Sequence, residues 1–164
     1  MKSSEILLTA FQDTSAEQLV KGVKGCQPLL LPSDKIKDSV LLISAIDASK
    51  VSYIFAFGQK PNIKDKVYIE RTAREGEKTF QTGGDPERMK LLLESYGIAA
   101  QLSDNAGTSY CNRLYWNGLR HIKTQGIAAE MIFLHIPFLR NISDIDSFRK
   151  GIFAALEDYM TGQF

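Results

Sequence analysis

The sequence predicts an α/β protein, a three-layer α/β/α sandwich around a mostly parallel central sheet. Two observations predict it: short apolar runs of the buried-strand kind recur along the chain, and segments of helical spacing with recognisable caps separate them. The 164 residues, 44% hydrophobic and 24% charged, fit one domain over residues 1–164, with a core large enough to need no disulfide or metal.

Ile6-Leu7-Leu8-Thr9-Ala10-Phe11 reads as a buried strand, and Ala16-Glu17-Gln18-Leu19-Val20 as a helix capped by Thr14 or Ser15 and stopped near Gly22 or Gly25. Leu29-Leu30-Leu31 before Pro32 is the next strand. Ser33-Asp34 then caps a helix whose apolar stripe is Ile36, Val40 and Ile43, with Asp47 next on the same stripe. Residues 51–58 are aromatic and β-branched and end on Gly58, which predicts a central strand. A polar loop over residues 60–66 precedes a short strand, Val67-Tyr68-Ile69, leading into Glu70-Arg71.

Residues 72–84 are charged and contain Gly76, Gly83 and Gly84, so they read as an exposed loop. Asp85-Pro86 starts a helix with Met89, Leu92, Leu93 and Tyr96 on one face, and Gly97 stops it. Residues 98–102 form a strand that feeds a Gly-containing turn and a second helix, which carries Cys111 and runs to about Gln125-Gly126. Residues 129–136 are a nearly continuous apolar strand with His135 at the far end and Pro137 after it. An amphipathic helix over residues 144–159 closes the pattern, with Ile145, Phe148, Ile152, Ala155, Leu156 and Tyr159 on one stripe.

Charge and cysteine content narrow the functions. Lys and Arg number 20 against 19 acids, so nothing in the net charge of +1 argues for nucleic acid or a membrane surface. Cys26 and Cys111 are the only cysteines and His121 and His135 the only histidines; no dense metal cage is expected, and two thiols suit a reducing cytoplasm. The apolar run after Met1-Lys2-Ser3-Ser4-Glu5 is too short for a signal peptide or a membrane span.

The stretch that carries chemistry is Ser103-Asp104-Asn105-Ala106-Gly107-Thr108-Ser109-Tyr110-Cys111-Asn112. A helix start leaves N–H groups unpaired and biases a cysteine there toward the thiolate, although a free cysteine can equally be a small buried residue. Asp104 could cap that helix, Glu70-Arg71 could be an ion pair, and His135 could be a hydrogen-bonded framework residue. Cys26 and His121 read as structural or solvent-facing. A thiol peptidase needs a thiolate, an imidazole and a group that orients the imidazole, and Cys111, His135 and Glu70 supply those types. Backbone N–H groups of the turn would serve as an oxyanion hole. Since ligands bind beyond the carboxyl ends of strands in such sheets, Phe11, Gly58, Glu70, the cysteine turn and His135 are expected on one rim.

These residues stand in contexts that resemble a known family. Ala106-Gly107-Thr108-Ser109-Tyr110-Cys111-Asn112, Glu70-Arg71-Thr72-Ala73 and Phe133-Leu134-His135-Ile136-Pro137 resemble, in order, the Cys, Glu and His motifs of pyroglutamyl peptidase I. Residues 6–11 resemble its first strand and substrate loop, and Phe57-Gly58-Gln59 its glycine turn. The resemblance implies an α/β/α sandwich and a cytoplasmic cysteine exopeptidase that removes N-terminal pyroglutamate, without a cofactor and often as a homo-oligomer. Cys111 is then the nucleophile, His135 the acid/base and Glu70 its orienter. Phe11, Gly58, Gln59, Ser109 and Tyr110 fall at substrate-pocket positions. The chain departs from the family pattern at Ala10, at Asp13-Thr14 where a Pro-Phe pair is usual, at Glu75 and at Ser109 where an aromatic is common. Segments between the motifs are also short. These departures leave room for a second reading, a binding or regulatory module or a hydrolase of a different small acyl group.

Overall fold

A computed structural model describes residues 5–162; the polar lead-in at residues 1–4 lies outside them. The described residues form eight strands and five α-helices, and the five helices and six of the strands fall where the sequence pattern predicts them: β1 (Ile6–Phe11), α1 (Ser15–Lys21), β2 (Leu29–Leu31), α2 (Lys37–Ala48), β3 (Tyr53–Lys60), β4 (Lys66–Glu70), β5 (Thr72–Glu75), β6 (Lys78–Gln81), α3 (Pro86–Ser95), β7 (Ala99–Ser103), α4 (Tyr110–Gln125), β8 (Glu130–Pro137) and α5 (Ile145–Thr161). The caps are those the local chemistry favours. Thr14 accepts from the Glu17 N–H, Asp85 from the Arg88 N–H with Pro86 in the first turn, and Asp144 from the Asp146 and Ser147 N–H groups.

Six strands form one sheet in the order β2-β1-β3-β8-β4-β7. The first four run parallel, β4 is antiparallel to β8, and β7 is parallel to β4. Alternation along the strands builds a core on each face. Phe55 and Phe57 of β3, Ile132, Leu134 and Ile136 of β8, and Val67 and Ile69 of β4 pack with α1, α3 and α5. Ile54, Ala56, Met131 and Phe133 point the other way and pack with α2 and α4. By the same parity Gly58, His135 and Glu70 continue on the α2/α4 side, the face that holds Cys111.

Four expectations change. Residues 72–84 are not an open loop: β5 and β6 form a hairpin, with Thr72 and Ala73 buried and the Phe80 ring tilted against that of Trp116 at 4.5 Å. Polar contacts that no local pattern displays hold it there, the Asn112 amide bonding the backbone N–H and carbonyl of Arg74 at 2.9 and 2.8 Å. β3 runs past Gly58 to Lys60, because β8 offers ladder partners as far as Pro137. Most of the stripe that sequence spacing favours for α2 faces out: Ile36, just before the helix, is 76% and Val40 56% exposed, and only Ile43 is half-buried. Asp38, Ser39, Leu42 and Ile46 are buried instead, the polar pair joined to Asn117 of α4 through the Ser39 hydroxyl. Finally, Glu70 does not reach the shared rim from a carboxyl end that points there. It arrives on β4, which runs opposite to β8 and ends level with Phe133.

Candidate active site

The antiparallel register of β4 and β8 decides the geometry. Tyr68 lies opposite His135 and Glu70 opposite Phe133, so Glu70 and His135 are diagonal neighbours on one face. His135 Nδ1 lies 2.7 Å from Glu70 Oε1, with Glu70 0% and His135 3% exposed. A buried carboxylate that accepts from Nδ1–H selects the tautomer with Nε2 unprotonated and free to act as a base. The Tyr115 hydroxyl donates to the Glu70 carbonyl at 2.9 Å, and the Phe133 ring packs 4.9 Å from the imidazole. Both contacts hold the dyad in place. Burial pushes the Glu70 carboxyl up, but the hydrogen bond of His135, the nearby Ser103 hydroxyl and the charges of His135 and Lys60 outweigh it and hold the group below its ordinary value.

Cys111 sits in the first turn of α4 and lines the same cleft as His135. Gly58 makes the space for it. A Cβ on Gly58 would lie 2.6 Å from Cys111 Sγ and 3.0 Å from the Phe133 ring, and Gly58 is the ladder partner of His135. Gly58→Ala is therefore expected to displace the thiol and cut kcat by about 10²-fold, as small misplacements of reacting groups do. Single-turnover acylation checks this, and unchanged acylation would show that the thiol does not need that space.

The state of the thiol differs from the helix-start expectation. Burial pushes the Cys111 thiol up to about 12, and the carboxylates of Glu70 and Asp38 add to the shift, while Lys60 works against it. The helix dipole contributes roughly 0.3–1 kcal/mol, less than one pKa unit, and is outweighed. At neutral pH Cys111 rests as a thiol, so a base must take its proton when it reacts. Cys26, half-buried against the core, is also pushed up by burial.

The turn ahead of Cys111 is built tightly. Gly107 has φ +92°, open to glycine at no steric cost, and its N–H bonds the Asn105 side chain at 3.0 Å. Asp104 does not cap α4; it pairs with Arg71 and accepts from the Thr72 hydroxyl at 2.9 Å, so the partner of Arg71 is Asp104 and not the adjacent Glu70. Ser109 occupies the N-cap position without a side-chain cap bond, which leaves first-turn N–H groups free of intrahelical and capping partners.

Cys111 and His135 line one cleft of about 490 Å³ together with Phe11, Gln59, Lys60, the segment over residues 106–110, Thr14, Ser33 and Pro61. All five sequence-named pocket positions are found at or against this cleft. Phe11, Gln59, Ser109 and Tyr110 line it, and Gly58 backs the thiol. Tyr110 turns its ring outward to meet Phe11 edge-on at 6.2 Å rather than entering the core. Gln59 accepts from the N–H and hydroxyl of Ser15 at 3.0 and 3.3 Å, tying β3 to α1. His121 stands apart, 2.7 Å from Asp47.

Two residues escaped the sequence reading. Lys60 Nζ lies 3.2 Å from Glu70 Oε1, and Asp38 is a buried carboxyl that acts on Cys111. Lys60 follows the motif residues Gly58-Gln59 directly, the one signal that could have marked it. Among the described residues no cluster of His, Cys, Asp and Glu could hold a metal ion, and no helix is long and apolar enough to cross a membrane.

Comparison with known proteins agrees with the motif reading. The model of the pyroglutamyl peptidase family matches residues 44–155. The pyrrolidone-carboxylate peptidase of Mycobacterium marinum is 33% identical over 82 residues, 49% of this chain and 37% of that protein. The Bacillus cereus enzyme of the same name is 32% identical over 74 residues, 40% of this chain and 34% of its own length. The matched region thus spans little more than a third of these relatives. Among solved structures, pyroglutamyl peptidase I from Bacillus amyloliquefaciens superposes with a TM-score of 0.84 at 20% identity, covering 96% of this chain and 95% of that one. The pyrrolidone carboxyl peptidase of Thermococcus litoralis superposes at 0.79 with 18% identity, covering 96% and 94%. These two share its fold.

Proposed function

Since the chain belongs to the pyroglutamyl peptidase family, we propose that it is a cysteine peptidase that removes an N-terminal pyroglutamyl or similar small acyl group from a peptide. The observation that carries this reading is the buried His135–Glu70 pair, 2.7 Å apart, beside the cleft that Cys111 lines.

In the proposed reaction the substrate ring lies against Phe11 and Tyr110. Cys111 Sγ attacks the acyl carbonyl while its proton passes to His135 Nε2, and first-turn N–H groups of α4 stabilise the oxyanion. The imidazolium, held by Glu70, returns that proton to the leaving amine as the C–N bond breaks. Water then attacks the thioester with His135 again as base, which frees the acid and restores the thiol. A resting thiol makes His135 a true general base in the first step. Cytoplasmic location and self-association are part of the same proposal; a thiol nucleophile works in a reducing compartment.

Hydrolysis of fluorogenic pyroglutamyl, prolyl and acetyl amides tests the reading. Turnover fastest with the pyroglutamyl amide is expected, with an acyl-enzyme visible by mass spectrometry. Faster turnover of another amide would move the specificity to that acyl group. No hydrolysis and no acyl-enzyme with any of them would favour the binding module.

A further inference from the structure

We propose that Lys60 is a positioning residue of the thiol site, its ammonium tying the loop that leads into Cys111 to the carboxylate behind His135. The structural part of this stands alone; its kinetic part rests on the peptidase reading.

Lys60 Nζ is held at three points. It lies 3.2 Å from Glu70 Oε1, 3.0 Å from the Asn105 carbonyl and 4.8 Å from the centre of the Tyr68 ring. The carboxylate oxygen is the same one that receives His135 Nδ1. The Lys60 side chain is 26% exposed and its carboxylate partner fully buried, so this is no solvated surface pair. A lysine ordinarily keeps much rotamer freedom, and three fixed contacts on separate segments restrain it here.

Two consequences follow. The first is mechanical. Asn105 is linked to Ser103 through its N–H and to Gly107 through its side chain, and Ala106, Gly107, Thr108 and Ser109 form one wall of the cleft. Releasing the Asn105 carbonyl loosens that wall.

The second is electrostatic. The groups around Cys111 are Asp38 from α2, Glu70 from β4, His135 from β8 and Lys60 from β3. Arg71 and Arg74 are engaged by Asp104, and Lys35 lies over the Tyr110 ring. Without Lys60 a forming thiolate would meet two carboxylates and one imidazole, so its charge favours ionisation of Cys111.

Carbamidomethylation of Cys111 by iodoacetamide, followed against pH by mass spectrometry with Cys26 as the internal control, separates these effects. Lys60→Met is expected to slow Cys111 labelling about tenfold at a given pH, the equivalent of one unit of thiol pKa, with Cys26 unchanged. Lys60→Arg keeps the charge and returns the rate to within about threefold. Lys60→Gln removes the charge but can still donate to the Asn105 carbonyl. It is expected to label as slowly as Lys60→Met yet to raise KM for a pyroglutamyl amide less than Lys60→Met does, with kcat lowered in both.

Lys60→Gln carries the labelling test if Lys60→Met does not fold. An unmoved labelling profile, even with a lowered melting temperature, overturns the proposal and leaves the peptidase reading intact. A moved profile in a protein whose wild type hydrolyses no amide supports the role of Lys60 and sinks the peptidase reading instead.

Discussion

Cys111→Ala is expected to abolish amide hydrolysis, lowering kcat/KM by about 10⁴–10⁶-fold, the loss seen when a covalent nucleophile is removed from a triad-type site. The fold should survive. Cys111 is half-buried at a helix start with no disulfide, and the methyl group of alanine fits where the thiol sits beside Gly58. The stability change should be about 1 kcal/mol or less, a shift of roughly 2–4 °C in Tm for a domain of this size. Cys111→Ser is the sharper control, because it keeps the geometry but asks His135 to ionise a much weaker acid. Turnover by Cys111→Ala near the wild-type rate, measured with the fluorogenic amide on protein free of contaminating peptidase, would exclude Cys111 as nucleophile.

Glu70→Gln is expected to cost about 10³–10⁴-fold in kcat while leaving substrate binding largely intact. Glutamine can present an N–H where the carboxylate accepted one, which favours the tautomer with the proton on Nε2, and it removes the charge that stabilises the imidazolium. It also leaves Lys60 facing a neutral amide.

The same substitution has a pH signature. The Glu70 carboxyl is held below its ordinary value. Its contribution to stability is therefore complete above the unfolded carboxylate pKa, about 4.3, and is lost as pH falls through the lower folded value. Thermal unfolding followed from pH 7 down to pH 2 should show an acid-side loss in the wild type that is weaker in Glu70→Gln. Identical acid limbs would place the responsible carboxylate elsewhere, with Asp104, Asp144 and Asp65 also held low by their partners.

The alternation in residues 53–58 and 130–136 determines which side chains enter which core, because successive residues of a strand point to opposite faces. That parity, with the caps at Thr14, Asp85 and Asp144, made the layers legible in the sequence alone. The three candidate catalytic residues could be named for the same local reason: each stands in a short motif at a strand end or a helix start. The α2 stripe misled because Ile36, Val40 and Ile43 have helical spacing whichever face is buried. A polar link from Asp38 and Ser39 to Asn117, 78 residues beyond Ser39, decides which one is.

By itself, then, the sequence determined the order of six strands and the five helices, the two-sided core, and Cys111, Glu70 and His135 as the candidate groups to be assembled. Only the tertiary structure decided the direction of β4, and with it the diagonal that puts Glu70 Oε1 2.7 Å from His135 Nδ1. It also decided that Lys60 shares that carboxylate and that burial, with the carboxylates of Glu70 and Asp38, pushes the Cys111 thiol up. Strand direction, ion pairs and burial are set by which segments meet across the sheet. Those meetings depend on the whole packed chain, so local spacing carries no trace of them.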